Sequence, residues 1–155
     1  MGRQDGYQVQ VIVLGTAQDG GIPHPACTCE RCRRAAAGKE PRRMPACLGI
    51  YWPEQRRRYL IDLTPEFTRQ LALFDRVLAA AEPALQPPWN LRRPVDGIFL
   101  THGHFGHIGG LPLLGKEVAA THRLPVYCTP GLAHYLRANR PYRDLVAAGH
   151  IQLQT

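Results

Sequence analysis

Residues 100–111 read "LTHGHFGHIGGL", with His102, His104 and His107 inside six residues at the end of an apolar segment, "VDGIFL". In an extended chain alternate residues share a side, so Ile98, Leu100, His102 and His104 align. A turn after them brings His107 to the same corner. Gly103 and Gly106 remove Cβ atoms and permit tight dihedrals there. Gly109 and Gly110 let the following segment, expected to be a helix from about Ile108 through "LPLLGKEVAATH", pack closely. Three imidazoles delivered this way converge on one point, and neutral imidazole binds zinc at about 2.0 to 2.1 Å. A turn that is histidine-rich by chance accounts for one such residue better than for three. The fold must therefore present the end of a core strand at an open edge.

The rest of the chain alternates strands with helices, which implies an α/β sheet. Strands are expected at 8–15, 46–52, 57–63 and 95–102, in "LPVYCTP" and in "HIQLQT". "ERCRRAAAG" is a short helix closed by Gly38. Thr64 caps a longer one, with Pro65 at its first position and Phe67, Leu71, Phe74 and Leu78 as its apolar face. Pro83 ends that helix, and 82–94 is a proline-rich surface loop. "GLAHYLRAN" and "RDLVAAGH" are short helices.

A length of 155 residues suits one domain, 1–155, and 45% hydrophobic residues is ordinary for a globular core. The last expected strand reaches the final residues with no closing helix, so a truncated domain is expected. No apolar run approaches the roughly 18 to 20 residues of a membrane span. "MGRQDGYQVQ" lacks the apolar centre of a signal peptide. A cytoplasmic protein without a membrane partner is expected. The net charge of +7 draws on arginine-rich stretches such as "EQRRRY". These read as solvated surface around a hairpin turn at Arg56, Arg57 and Arg58. No aromatic residues interleave them for base stacking, so no nucleic-acid partner is expected. A small, anionic substrate fits the charge.

The five cysteines are an odd number in a chain without a secretion signal, which argues against a disulfide framework. Cys27, Cys29 and Cys32 form "CTCERC", too polar a stretch for a core segment. Three thiolates at these steps face one ion, and a structural zinc normally has four ligands. The fourth is either His24 or a group outside this chain. Cys47 and Cys128 are packing residues in strands. Asp19 and His24, in the loop after the first strand, are candidates for facing the histidine corner.

"THGHFGHIGG" resembles the T-H-x-H-x-D-H-x-G-G signature of the metallo-β-lactamase fold. "VLGTAQDGGIPHPACTCERC" looks like the start of that fold's PQQ-biosynthesis protein B group. It is also similar to the cyclic-phosphate phosphodiesterase of phosphonate breakdown. The likeness runs from about Val9 to the end. It implies an αββα sandwich of which this chain is the N-terminal half, leaving an apolar face uncovered and favouring association, homo-oligomers included. It implies that His102 and His104 hold one metal and His107 a second. The cysteines would hold a structural zinc completed from the C-terminal half. Asp62, in "YLIDLTPEF", would support the metal site by hydrogen bonding; alternatively it is an acid leading a helix.

The signature's aspartate is Gly106 here. Two cations ~3.5 to 4 Å apart need anions around them, so one metal, or a weak second one, is expected, with hydrolytic power in question. Three functions follow. The first is a metal-dependent hydrolase of an ester or phosphodiester, using zinc to lower the pKa of water toward about 7. The second is an iron-dependent oxidative enzyme of cofactor biosynthesis, since a three-histidine site can host iron. The third is a non-catalytic metal-binding scaffold.

Overall fold

In the computed structural model, which describes residues 8–82 and 92–155, each β-strand hydrogen-bonds to the next one in the chain. The order is β1 (Gln10–Gly15), β2 (Cys47–Trp52), β3 (Arg57–Ile61), β4 (Gly97–Phe99), β5 (Leu124–Tyr127) and β6 (Ile151–Gln154). The first three are antiparallel, and β3 through β6 are parallel. A 3-10 turn over Pro53–Gln55 joins β2 to β3. The parallel strands need crossovers, and right-handed crossovers stepping in one direction put their helices on one face. These are α2 (Phe67–Ala81), α3 (Phe105–Ile108), α4 (Pro130–Ala138) and α5 (Tyr142–Ala147). The short α1 (Glu30–Ala36) follows β1.

One face of the sheet carries the core. Leu60, Ile98 and Val126, register partners across β3, β4 and β5, are fully buried and pack with Phe74 and Leu78 of α2, Leu136 of α4 and Leu145 of α5. The opposite face is apolar yet open. Val11 and Val13 are 59% and 58% exposed, and Phe99 stacks on Tyr127 with ring centroids 4.7 Å apart. The alternation of β1 thus reflects two apolar faces, one covered and one not. Among the described residues no helix is long and apolar enough to cross a membrane.

Several expected elements differ. Strand β4 stops at Phe99, because the Thr101 amide donates to the Asp62 carboxylate at 2.8 Å instead of to a strand neighbour. The long helix expected after Ile108 is α3 followed by a 3-10 turn over Leu111–Leu114. Gly110 breaks it: its amide donates to the Leu63 carbonyl at 2.8 Å. A Cβ at Gly110 would lie 2.2 Å from the Thr64 carbonyl oxygen, so only glycine permits this approach. Helix α2 begins at Phe67, later than the expected Thr64 cap. Thr64 instead organises the preceding turn, accepting from the Glu66 amide at 3.1 Å and donating to Gln70 Oε1 at 2.7 Å. The buried line of α2 is therefore Phe67, Gln70, Phe74 and Leu78, with Leu71 at its edge. Pro83 and most of the proline-rich loop expected at 82–94 lie outside the described residues.

Arg58 is also corrected. The sequence groups it with the solvated arginines of the hairpin, but it points inward from β3 and is only 4% exposed. Its guanidinium pairs with Asp75 of α2, and its amide donates to Asp96 Oδ2 at 2.9 Å. Burial pulls this guanidinium below its ordinary value, and Asp75 opposes that pull. Asp75→Asn, which takes from a buried charge the carboxylate it pairs with, should lower unfolding free energy in urea melts by about 2 to 3 kcal/mol. That is somewhat below the cost for a fully buried pair, because Asp75 is 26% exposed.

Candidate metal centre

The histidine corner forms where β4 ends and the chain turns into α3. His104 is the N-cap residue of α3, with extended dihedrals, and His107 sits in the helix's single turn. The rings adjoin through His102: its centroid is 4.5 Å from that of His104 and 4.0 Å from that of His107. His102 and His104 are exposed, and His107 is part-buried.

Behind the rings lies Asp62, 5% exposed, with a positive φ of 66° at the end of β3. Its carboxylate does not cap α2. It accepts from the Thr101 amide at 2.8 Å, from the Thr101 hydroxyl at 2.9 Å and from His107 Nδ1 at 2.7 Å. Thr101 Oγ1 also lies 2.9 Å from His102 Nδ1. A hydroxyl has one hydrogen. With that hydrogen given to Asp62, Thr101 can only accept from His102 Nδ1–H. In their neutral forms His102 and His107 then carry the proton on Nδ1, which leaves Nε2 as the ring nitrogen able to bind an ion. Thr101 stood in the quoted signature, but sequence reasoning gave it no role. Its only signal was a hydroxyl one residue before the first histidine.

Asp19 reaches this corner from the loop after β1. Its Oδ2 accepts the Gly106 amide at 3.2 Å, and its Oδ1 lies 3.7 Å from His107 Nε2. The other residue of that loop, His24, does not join the cysteines through its ring. Its Nδ1 is 3.0 Å from the Pro25 carbonyl oxygen, and its ring lies over Gly20. Only its backbone amide meets the cysteine corner, donating to Cys32 Sγ at 3.3 Å.

The sulfur atoms of Cys27, Cys29 and Cys32 all lie within 4.8 Å of one another, and among the described residues no other trio of His, Cys, Asp or Glu donors is that tight. The histidine nitrogens are thus gathered but more widely spread than the thiols. Cys29 is the N-cap residue of α1 without closing a full side-chain cap. The Cys32 amide, then the Cys27 and Cys32 thiols, still pull its thiol below the ordinary value. For Cys32 the His24 amide is the largest influence and acts downward. Burial and the neighbouring thiols together outweigh it and push Cys32 up.

Beyond the loop of Asp19 lies a cleft of about 390 Å³, lined by Gly20, Gly21 and, among others, Arg42, Arg43, Arg69 and Arg76. None of the three histidines lines it. The loop connects the two features: Asp19 faces the histidines, and the next two residues face the arginines.

A sequence profile of the Beta-lactamase superfamily domain matches residues 57–155. The chain belongs to that superfamily. Coenzyme PQQ synthesis protein B of Methylorubrum populi is 30% identical over 151 residues, covering 95% of this chain and 46% of the relative. The chain thus spans about half the length of the curated relatives it matches. The crystal structure of Zn(2+)-bound PqqB from Methylobacterium extorquens superposes with a TM-score of 0.73 at 28% identity, over 96% of this chain and 49% of the other. A diphosphatase of the PhnP family superposes with a TM-score of 0.58 at 22% identity, over 95% of this chain and 51% of that one, a likeness of fold alone. The sheet with its helices is therefore a partial metallo-β-lactamase fold, as the resemblance of the two motifs implied.

The remaining buried thiol provides a test of this environment. Cys47 is 4% exposed, and burial, reinforced by the Asp62 charge, pushes it up to about 12. In metal-free native protein a thiol reagent should label Cys27 and Cys29 at once and Cys47 only on unfolding. Above about pH 9 the unfolded chain loses the Cys47 proton while the native chain keeps it. Stability should therefore fall as pH rises toward 12, by up to about 1.4 kcal/mol per unit. Urea melts of Cys47→Ala should show a shallower decline.

Proposed function

We propose that this protein is a metal-dependent hydrolase acting on an anionic ester or phosphodiester, with its metal at the histidine corner. The network of Asp62, Thr101, His102 and His107 carries this reading. Its hydrogen bonds fix the neutral tautomer of two imidazoles and leave Nε2 of exposed His102 and of part-buried His107 as the ligand nitrogens. A structural role alone does not require that. The donor set fits a divalent ion: imidazole nitrogens, a carboxylate nearby and a buried carboxylate behind the ring. When bound, such an ion polarises a phosphoryl or carbonyl oxygen and lowers the pKa of water.

This chain's own residues would do the rest. His102, His104 and His107 hold the ion, and Asp62 and Thr101 keep two of those rings in register. Arg42, Arg43, Arg69 and Arg76 in the adjacent cleft favour a substrate carrying negative charge. Glu66 in the same lining pairs with Arg69 at 3.1 Å and moderates that field. Cys27, Cys29 and Cys32 would hold a structural zinc away from the reaction, a reading supported by the closeness of their sulfurs. Similarity to proteins named for coenzyme PQQ synthesis supports a role in cofactor biosynthesis.

The test is steady-state turnover of a generic aryl phosphodiester by zinc-loaded protein. His104→Ala should abolish turnover, whereas folded Cys29→Ser should retain it. Bound metal should fall on acidification as the imidazoles protonate. Absence of turnover with zinc, manganese and iron alike would instead favour the scaffold.

A further inference from the structure

Position 106 has no side chain, yet the space that side chain would occupy is filled. A Cβ built on Gly106 would lie 2.3 Å from Asp19 Cγ and 2.5 Å from both Asp19 Cβ and Oδ1. These are impossible contacts, so the carboxyl group of Asp19 stands where a side chain at 106 would begin. It is fixed there by the Gly106 amide on Oδ2. Its other oxygen, Oδ1, lies 3.7 Å from His107 Nε2, the ring nitrogen that the Asp62 bond leaves free. That separation is too long for a hydrogen bond. It is close to the roughly 3.4 Å between two tetrahedral ligands of one ion bound at about 2.0 to 2.2 Å. Asp19 is 48% exposed on its side chain, so an ion can approach it from solvent.

We propose that Asp19, from the loop after β1, is the carboxylate metal ligand of the histidine corner, sharing an ion with His107. The proposal rests on the metal reading above and deepens it. The acid missing at 106 is supplied from 87 residues away, and Gly106 is glycine because that carboxylate needs its space. The negative charge expected to be absent is therefore present, beside the ion that the histidines hold.

Manganese(II) reports on this corner selectively, because carboxylate and imidazole ligands suit it and thiolates do not. Its binding to the 155-residue protein can be titrated by the loss of the free-ion electron paramagnetic resonance signal. Asp19→Asn keeps the shape and an oxygen for the Gly106 amide but removes the charge. It should bind manganese at least about tenfold more weakly, with an unchanged circular dichroism spectrum. Gly106→Asp alone should also bind weakly, because its carboxylate collides with Asp19. The double variant Asp19→Ala, Gly106→Asp returns the acid to position 106 and should recover affinity to within a few-fold of the wild type. Wild-type affinity in Asp19→Asn, with binding lost in His107→Ala, would overturn the assignment of Asp19 alone. So would a folded double variant as weak as Asp19→Asn. If His102→Ala and His107→Ala bind manganese no more weakly than the wild type, the metal reading of the corner fails and this assignment with it.

Discussion

The carboxylate of Asp62 is the point on which the histidine corner depends. It ends β3 in the left-handed region, at φ 66°, which Asp tolerates better than most residues. The conformation persists because surrounding bonds over-determine it: donors from Thr101 and His107 meet the carboxylate, and the Asp62 amide donates to the Phe99 carbonyl at 2.8 Å. Through these bonds one buried acid stops β4, turns the chain toward α3 and selects the tautomer of two imidazoles. Burying a carboxylate costs free energy unless its oxygens are bonded, and here both are.

The close packing of the loop after β3 against α3 follows from the same arrangement. The Leu63 amide donates to the His107 carbonyl, and the Gly110 amide donates to the Leu63 carbonyl, both at 2.8 Å. Gln70, buried in α2, ties Thr64 to the Pro45 carbonyl at 2.8 Å. Pro45 belongs to the segment that pairs with the chain after β1, since the Ala46 amide donates to the Ala17 carbonyl. A continuous polar path thus runs from α2 to the loop that carries Asp19. The cysteine corner meets this loop from the other side, through the His24 amide. Both clusters of metal-binding residue types are therefore mounted on one loop and its neighbours, at the end of the sheet where β1 stops.

Much of this was legible beforehand. Periodicity located β1 and α2 to within a few residues, because burial on one side leaves a regular trace, and β2, β3 and β5 were legible as apolar runs between turn signals. The cysteine trio was legible because its spacing is local. The differences fall at β4, which is shorter than its apolar run, and in the segment after Ile108. Gly109 and Gly110 suggest close packing of a following helix, yet together with Pro112 they prevent a long one. For Arg58 residue type points outward and position inward: it alternates with Arg57 along β3, and Asp75 and Asp96, both outside that strand, make its burial tolerable.

The amino-acid sequence by itself determined the histidine spacing, the clustering of three thiols and the α/β alternation, because each is written within a few consecutive residues or in one period. Tertiary structure alone decided which acid faces which imidazole. Asp19 and Asp62 are far from His107 along the chain, and hydrogen bonds act over about 3 Å in space whatever the distance in sequence. The vacancy at Gly106 looked like the loss of a charge, and only folding could bring another carboxylate to fill it.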